Sequence, residues 1–282
     1  MRLGLMKGVV DRQVLVNYRV QPEAARRLLP APFRPRLFRG AALAQLCLLR
    51  LRRVRPAFLP AAMGCTSENA AVRIVAEWDS PRGPGAGYFL LRRETSSRMD
   101  AYLNGRVLPG APHFARFRVQ ESLDRVRIEA VASDRAGRIA LSASLTPEMP
   151  TASVFRSRQE AVDFLWTHQA CYTPLVRPGT FEGIDFHTSS LQAYPLAVDD
   201  VACHYLEDRR NVPADAIVFD SALLFRNLSQ EWTPCERLRA IESEGGELAP
   251  AGACRFTDSL RVESPDLMKQ VGGKANAASQ HA

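Results

Sequence analysis

Apolar and charged residues alternate through much of this chain with the period of two that a half-buried strand requires. In residues 125–132, Val126, Ile128, Ala130 and Ala132 point one way, and Arg125, Arg127 and Glu129 point the other. Turn-forming Ser133-Asp134-Arg135-Ala136-Gly137-Arg138 follows, and Ile139, Leu141, Ala143 and Leu145 then resume the alternation. Residues 125–145 therefore read as a β-hairpin with one buried face. A second hairpin is predicted from 70–78, through a Pro- and Gly-rich loop at 80–86, into 87–93. Residues 13–19, 42–54, 114–120, 191–205 (with an interruption) and 217–227 are the other predicted strands.

Helical signals are few and short. Residues 22–29 start with Pro22 at the first helical position and stop before Pro30. Ser157-Arg158-Gln159-Glu160 is a capping box leading into 161–168, with Val162, Leu165 and Trp166 on one face. Residues 97–103, closed by Asn104-Gly105, make a third short helix. Mostly antiparallel strands with scattered helices predict an α+β fold whose β-sheet is strongly curved or closed. Residues 1–242 carry the pattern as one domain. From Ser243 it lapses into Gly245-Gly246, Pro250, Gly252 and an Ala-, Ser- and Gln-rich end, so 243–282 reads as a disordered C-terminal tail.

Glu68 breaks an otherwise clean pattern. In a strand from 68 to 78, it shares a face with Ala70, Val72, Ile74, Ala76 and Trp78, while Asn69, Ala71, Arg73, Val75 and Glu77 take the other face. A carboxylate on an apolar face needs a partner, a shifted pKa or water at a strand end. Arg73, on the opposite face, does not supply the partner.

The formal charge of +7 and pI near 9.4 invite a nucleic-acid reading. The arginines are spread over almost every segment rather than clustered in a stripe, which argues against it. Six cysteines with no CxxC pair are too sparse for a disulfide scaffold. No leader pattern is visible, and the apolar run 41–49 is too short to span a bilayer. A soluble cytoplasmic protein with free thiols and no membrane association is expected, and a homo-oligomer is compatible with all of this.

Other motifs carry little chemistry. Arg82-Gly83-Pro84-Gly85-Ala86-Gly87 lacks the strand-to-helix setting of a phosphate loop, and Pro84 removes a donor. His168 with Cys171, and Cys203 with His204, have ligand-like spacing, but nothing ties the pairs into one zinc site. There is no G-x-S-x-G nucleophile elbow. No metal and no cofactor are expected.

Residues 17–30, Asn17-Tyr18-Arg19-Val20-Gln21-Pro22-Glu23 running to Pro30, resemble the acetoacetate decarboxylase-like pattern, where a strand ending in Tyr-Arg leads into a short helix and a proline. Phe38-Arg39-Gly40-Ala41 before an apolar strand and Val54-Arg55-Pro56 after it are similar to an uncharacterised bacterial branch, domain of unknown function 2071. Phe164-Leu165, Tyr172, Arg177, Gly179 and Asp185-Phe186-His187 resemble the second half of that branch. The likeness covers residues 8–240. It implies a barrel- or cone-like sheet with an interior pocket.

Carried over residue by residue, the resemblance puts the decarboxylase site arginine at Arg12 and its two glutamates at Gln45 and Glu68. The Gly-Arg-x-Leu segment falls on Gly105-Arg106-Val107-Leu108, and the Schiff-base lysine position falls on His113, with Phe114 at the neighbouring lysine. No lysine lies between Lys7 and Lys269. A Schiff base needs a primary amine, which imidazole and guanidinium cannot supply. The family's decarboxylation is thus disfavoured. One reading is an enzyme acting on a small organic acid or carbonyl compound, with His113 as acid/base, Glu68 as its orienter, and Arg12 or Arg106 as anion clamp. The other is a non-catalytic small-molecule binding protein that uses the same pocket. A nucleic-acid-binding protein is a distant third.

Overall fold

Strand-forming runs dominate the chain, and thirteen of them join a single sheet. The structure, a computed structural model, describes residues 4–80, 82–103, 110–134, 137–166, 170–175, 177–188 and 191–240. The tail expected at 243–282 and Arg106 lie outside the described residues. The strands are β1 (Met6–Val20), β2 (Arg34–Pro35), β3 (Ala42–Pro56), β4 (Cys65–Ser80), β5 (Gly83–Thr95), β6 (His113–Glu121) and β7 (Arg125–Ala132). They continue as β8 (Arg138–Leu145), β9 (Ala170–Pro174), β10 (Thr180–Thr188), β11 (Ala193–Cys203), β12 (Ile217–Pro234) and β13 (Leu238–Arg239). Four short helices join them: α1 (Pro22–Arg27), α2 (Arg98–Leu103), α3 (Arg158–Trp166) and α4 (His204–Glu207).

The strand order is β13-β10-β9-β5-β6-β7-β8-β11-β12-β1-β3-β4-β2, and two further pairings, β4 with β5 and β10 with β12, close it on itself twice. One ring runs β5-β6-β7-β8-β11-β12-β1-β3-β4 and the other β5-β9-β10-β12-β1-β3-β4. They share the wall β12-β1-β3-β4-β5. Only the short β5–β6 and β5–β9 contacts are parallel. This is the α+β architecture with a closed, curved, mainly antiparallel sheet that the sequence pattern predicts.

The shared wall is buried on both faces. Val14, Val16, Ala44, Leu46, Val72 and Ile74 pack in one core with Val126, Ile128 and Leu141 of the β7–β8 hairpin. Leu15, Leu43, Cys47, Val75, Leu223 and Phe225 face a second core with Tyr88, Phe155 and Leu165. Residues Ala42 to Leu48 of β3 are buried without a break, the signature of a strand covered on both sides. Two irregularities reset which residues face which core. Asp11 is an extra residue between the Val10–Leu51 and Arg12–Arg50 pairs, so Val10 and Arg12 face opposite ways. Leu91 is extra between the Leu90–Arg73 and Arg92–Val72 pairs, so Leu90 and Arg93 share a face.

Several sequence expectations are extended or corrected. The loop expected at 80–86 is mostly strand, because Gly83 to Ala86 pair with Glu77 to Ser80 and belong to β5. β9 and β10, which the alternation did not reveal, complete the second ring. The end of the expected 191–205 strand is α4. Half of the capping box forms: Glu160 N–H donates to Ser157 Oγ at 3.1 Å, while Glu160 Oε2 accepts from the Arg156 N–H, one residue before the cap, at 2.6 Å.

Candidate functional site

Arg12, Glu68 and His113 lie on the wall and strand faces turned toward the first core, whereas Gln45 faces the second. Arg12 is 1% exposed. Its Nη2 donates to Glu68 Oε2 at 2.5 Å and its Nη1 to Glu121 Oε2 at 3.2 Å. Arg50 Nε donates to Glu68 Oε1 at 2.6 Å, and Arg226 donates to Glu121 Oε1. Both oxygens of Glu68 are therefore committed to arginines from β1 and β3. Glu68 is not a frayed strand end either, since β4 begins at Cys65 and the Glu68 N–H is held by Ser96 Oγ at 2.9 Å. Glu121, from the last position of β6, ties that strand across to β1, β3 and β12. The cluster is a compensated ion-pair network, with Arg12 Nε left as a buried donor without a partner among the described residues.

His113 opens β6, opposite Glu94 of β5. Its Nδ1 lies 3.1 Å from Asp134 Oδ2, so the carboxylate beside it is Asp134 and not Glu68. Arg92 bridges Asp134 (2.8 Å) and Glu94 (2.5 Å). Burial and the Arg92 charge lower the His113 pKa against the upward pull of Asp134, which favours the neutral ring. Glu94 is pushed upward by burial, only partly offset by Arg92, and its Oε2 has no hydrogen-bond partner among the described residues. The expected orientation of His113 by Glu68 is thus replaced by a His113–Asp134 pair.

Gln45 belongs to a different polar set. Its Nε2 donates to Asn17 Oδ1 at 2.8 Å, and its Oε1 accepts from Arg73 Nε at 2.9 Å. Asn17 Nδ2 donates to Ser221 Oγ at 3.2 Å, and Ser221 Oγ to Asp220 Oδ2 at 2.9 Å. The Arg73 guanidinium lies 3.7 Å above the Tyr88 ring. The Tyr88 hydroxyl in turn donates to the Leu165 carbonyl, fixing α3 beside it.

Arg73 lines a cavity of about 130 Å³ inside the second ring. Its walls are mostly apolar, with Leu49, Leu51, Trp166, Ile184, Phe186 and Trp232. Its polar groups are Arg73, Arg93, Gln13, Asn69 and Gln230. Among the described residues, no carboxylate, histidine or lysine lines it. Arg93 is ion-paired to Asp100. Arg73 is only 7% exposed and makes no ion pair among the described residues. Its one hydrogen bond there uses Nε, which leaves both terminal amino groups uncommitted. The thiols on the cavity are poor nucleophiles: burial raises Cys47 and pushes Cys171 up to about 11.

The cavity was hidden in the sequence because Asn69 and Arg73 occupy the strand face that looks solvent-exposed when only one buried face is assumed. The signal was the unbroken apolar run of β3, which marks burial on both sides. Among the described residues, no group of three or more His, Cys, Asp or Glu side chains is arranged to hold a metal, and no helix is long and apolar enough to cross a membrane.

Residues 10–220 match the family model DUF2071, described as an uncharacterized conserved protein. A comparison with curated proteins gives no match. Among solved structures, acetoacetate decarboxylase from Legionella pneumophila subsp. pneumophila str. Philadelphia 1 is 10% identical, with 84% of this chain and 87% of that chain covered and a TM-score of 0.56. An acetoacetate decarboxylase-like enzyme from Sphingomonas wittichii RW1 is 13% identical, with 85% and 93% covered and a TM-score of 0.50. The enduracididine biosynthesis enzyme MppR, complexed with the condensation product of pyruvate and imidazole 4-carboxaldehyde, is 15% identical, with 85% and 90% covered and a TM-score of 0.51. At such identities the likeness establishes the shared fold alone.

Proposed function

The chain belongs to the DUF2071 family and has the acetoacetate decarboxylase-like fold, and from that premise we propose that it holds a small organic acid in the cavity at Arg73 without forming a Schiff base. The observation that carries this reading is the buried Arg73 guanidinium, which among the described residues has no carboxylate partner and makes no hydrogen bond through its terminal amino groups. Burying a charge without a counter-charge costs several kcal/mol. A bound carboxylate offsets that cost and matches the planar fork of the guanidinium. The pyruvate-derived compound held by MppR supports a small-acid pocket in this fold. Among the described residues the lining is dominated by Arg73 and apolar side chains, and this supports binding as the primary reading.

A second reading, an acid/base enzyme, draws on the His113–Asp134 contact. In it His113 is the proton carrier and Asp134 its orienter, with Arg12 and Glu68 serving to hold the ring of strands together.

The test is a thermal-shift screen of small organic acids on wild type, Arg73→Met and His113→Gln. A ligand at a hundred times its dissociation constant stabilises the native state by about 2.7 kcal/mol. The binding reading expects shifts that vanish in Arg73→Met and survive in His113→Gln. Shifts lost in His113→Gln, with turnover in wild type, favour the enzyme reading. Absence of any acid-induced shift overturns both.

A further inference from the structure

We infer that the acid is a monocarboxylate with an apolar body about the size of one ring, rather than a short keto acid or a dicarboxylic acid; this rests on the reading of the Arg73 cavity as an anion site.

The charge count comes first. Two guanidinium groups reach the cavity, but Arg93 is already neutralised by Asp100 and also donates to Asn69 Oδ1 at 3.4 Å. Arg73 is the one cation there without an acidic partner among the described residues. It has room for one bidentate carboxylate and leaves a second one without a counter-charge. A dianion entering this space would strand one charge against apolar walls, which is unfavourable.

The rest of the lining sets the body of the ligand. Beyond the guanidinium, Trp166, Phe186, Trp232, Leu49, Leu51 and Ile184 offer carbon surfaces. The side-chain amides of Asn69 and Gln13 are engaged by protein groups: Asn69 by Ser67 and Arg93, and Gln13 Nε2 by Cys47 Sγ at 3.4 Å. A keto or hydroxyl oxygen beside the carboxylate therefore finds, apart from the Gln230 amide, few free side-chain amide donors among the described residues, whereas an apolar ring meets aromatic walls that favour offset or edge contacts. The volume agrees. About 130 Å³ is close to the roughly 150 Å³ of an apolar cavity known to admit benzene, enough for one ring held at the guanidinium, and the cavity is half open at its mouth.

The experiment is isothermal titration of the full chain with benzoate, cyclohexanecarboxylate, pyruvate and malonate, followed by Arg73→Met. Trp166 and Trp232 line the cavity, so quenching of tryptophan emission in the wild-type protein gives a second readout that does not depend on the variant folding. The expected result is that benzoate or cyclohexanecarboxylate binds at least tenfold more tightly than pyruvate and malonate, with the affinity lost in Arg73→Met. Pyruvate or malonate binding as tightly as the ring acids, in an Arg73-dependent way, overturns this inference and leaves the anion site standing. No binding by any of the four, or binding indifferent to Arg73→Met, overturns the anion site as well.

Discussion

Arg73 Nε–H donates to Gln45 Oε1 at 2.9 Å, and that contact is the first link of a chain of buried hydrogen bonds that ends at Asp220. Each donor in the chain, from Arg73 through Gln45, Asn17 and Ser221, points toward the Asp220 carboxylate, crossing β4, β3, β1 and β12. Asp220 is also held by Ser153 Oγ at 2.7 Å and the Val154 N–H at 2.8 Å. The guanidinium is therefore oriented by aligned dipoles while its terminal groups stay uncommitted.

Gln45→Leu leaves Arg73 Nε and Asn17 Oδ1 buried without partners. We expect a loss of about 1–3 kcal/mol in urea unfolding. Any carboxylate ligand found should bind more weakly as well. A fully retained affinity would show that Arg73 needs no orientation from Gln45.

Glu68→Leu removes one of the two carboxylates on the buried Arg12 and the close partner of Arg50. A loss of about 2–3 kcal/mol is expected, because buried Arg12 is left with only the longer contact to Glu121 at 3.2 Å to offset its charge. Lys7→Ala breaks a pair whose side chains are 41% and 45% exposed and should cost under about 1 kcal/mol. Equal effects in denaturant titrations would contradict the contrast.

His113 has its pKa depressed below the ordinary 6.5 by burial and Arg92. Between the folded and unfolded values the unfolded chain binds more protons, so this contribution to stability is present above pH 6.5 and is lost as pH falls through the folded value. Glu94, with a raised pKa, contributes the opposite slope, since its native form holds the proton as pH rises above the unfolded value. The difference between wild type and His113→Gln isolates the imidazole. From pH 7.5 to pH 5 the melting temperature of wild type should fall further than that of His113→Gln.

Borohydride reduction in the presence of pyruvate should leave no adduct within residues 8–240, which contain no lysine. Lys7 is the one lysine among the described residues, and its ammonium pairs with Glu231 at 2.6 Å on the surface. A reduced adduct mapped to the cavity by mass spectrometry would refute the non-covalent reading.

Thiol labelling at neutral pH should begin at Cys65, which is exposed, and reach Cys47 and Cys171 slowly because burial raises both. Peptide mapping over a time course checks the order.

The strand framework was legible from period-two alternation wherever one face is wet, as in β7 and β8. The resemblance carried by residues 17–30 and 38–56 gave the fold. What alternation cannot give is a wall with two dry faces. There Arg73 looks like an outward polar residue, and the extra residues Asp11 and Leu91 change the facing of Arg12 and Arg93 without any composition cue. The Arg12–Glu68 contact joins two positions that the resemblance singled out. Their other partners, Arg50 and Glu121, and Arg226, which pairs with Glu121, carried no motif. Asp134, beside His113, sat in a segment that reads as turn chemistry alone.

The wall of β12, β1, β3, β4 and β5 lets a single stretch of backbone answer to two separate selective demands. Substitutions at Val14, Leu46, Val72 and Ile74 act on how firmly the molecule coheres, whereas those at Gln13, Cys47, Asn69 and Arg73 act on what its cavity accepts. Under the proposed reading, ligand preference is set apart from shape, and chains of this shape should be sorted by the side chains opposite their shared core rather than by overall likeness.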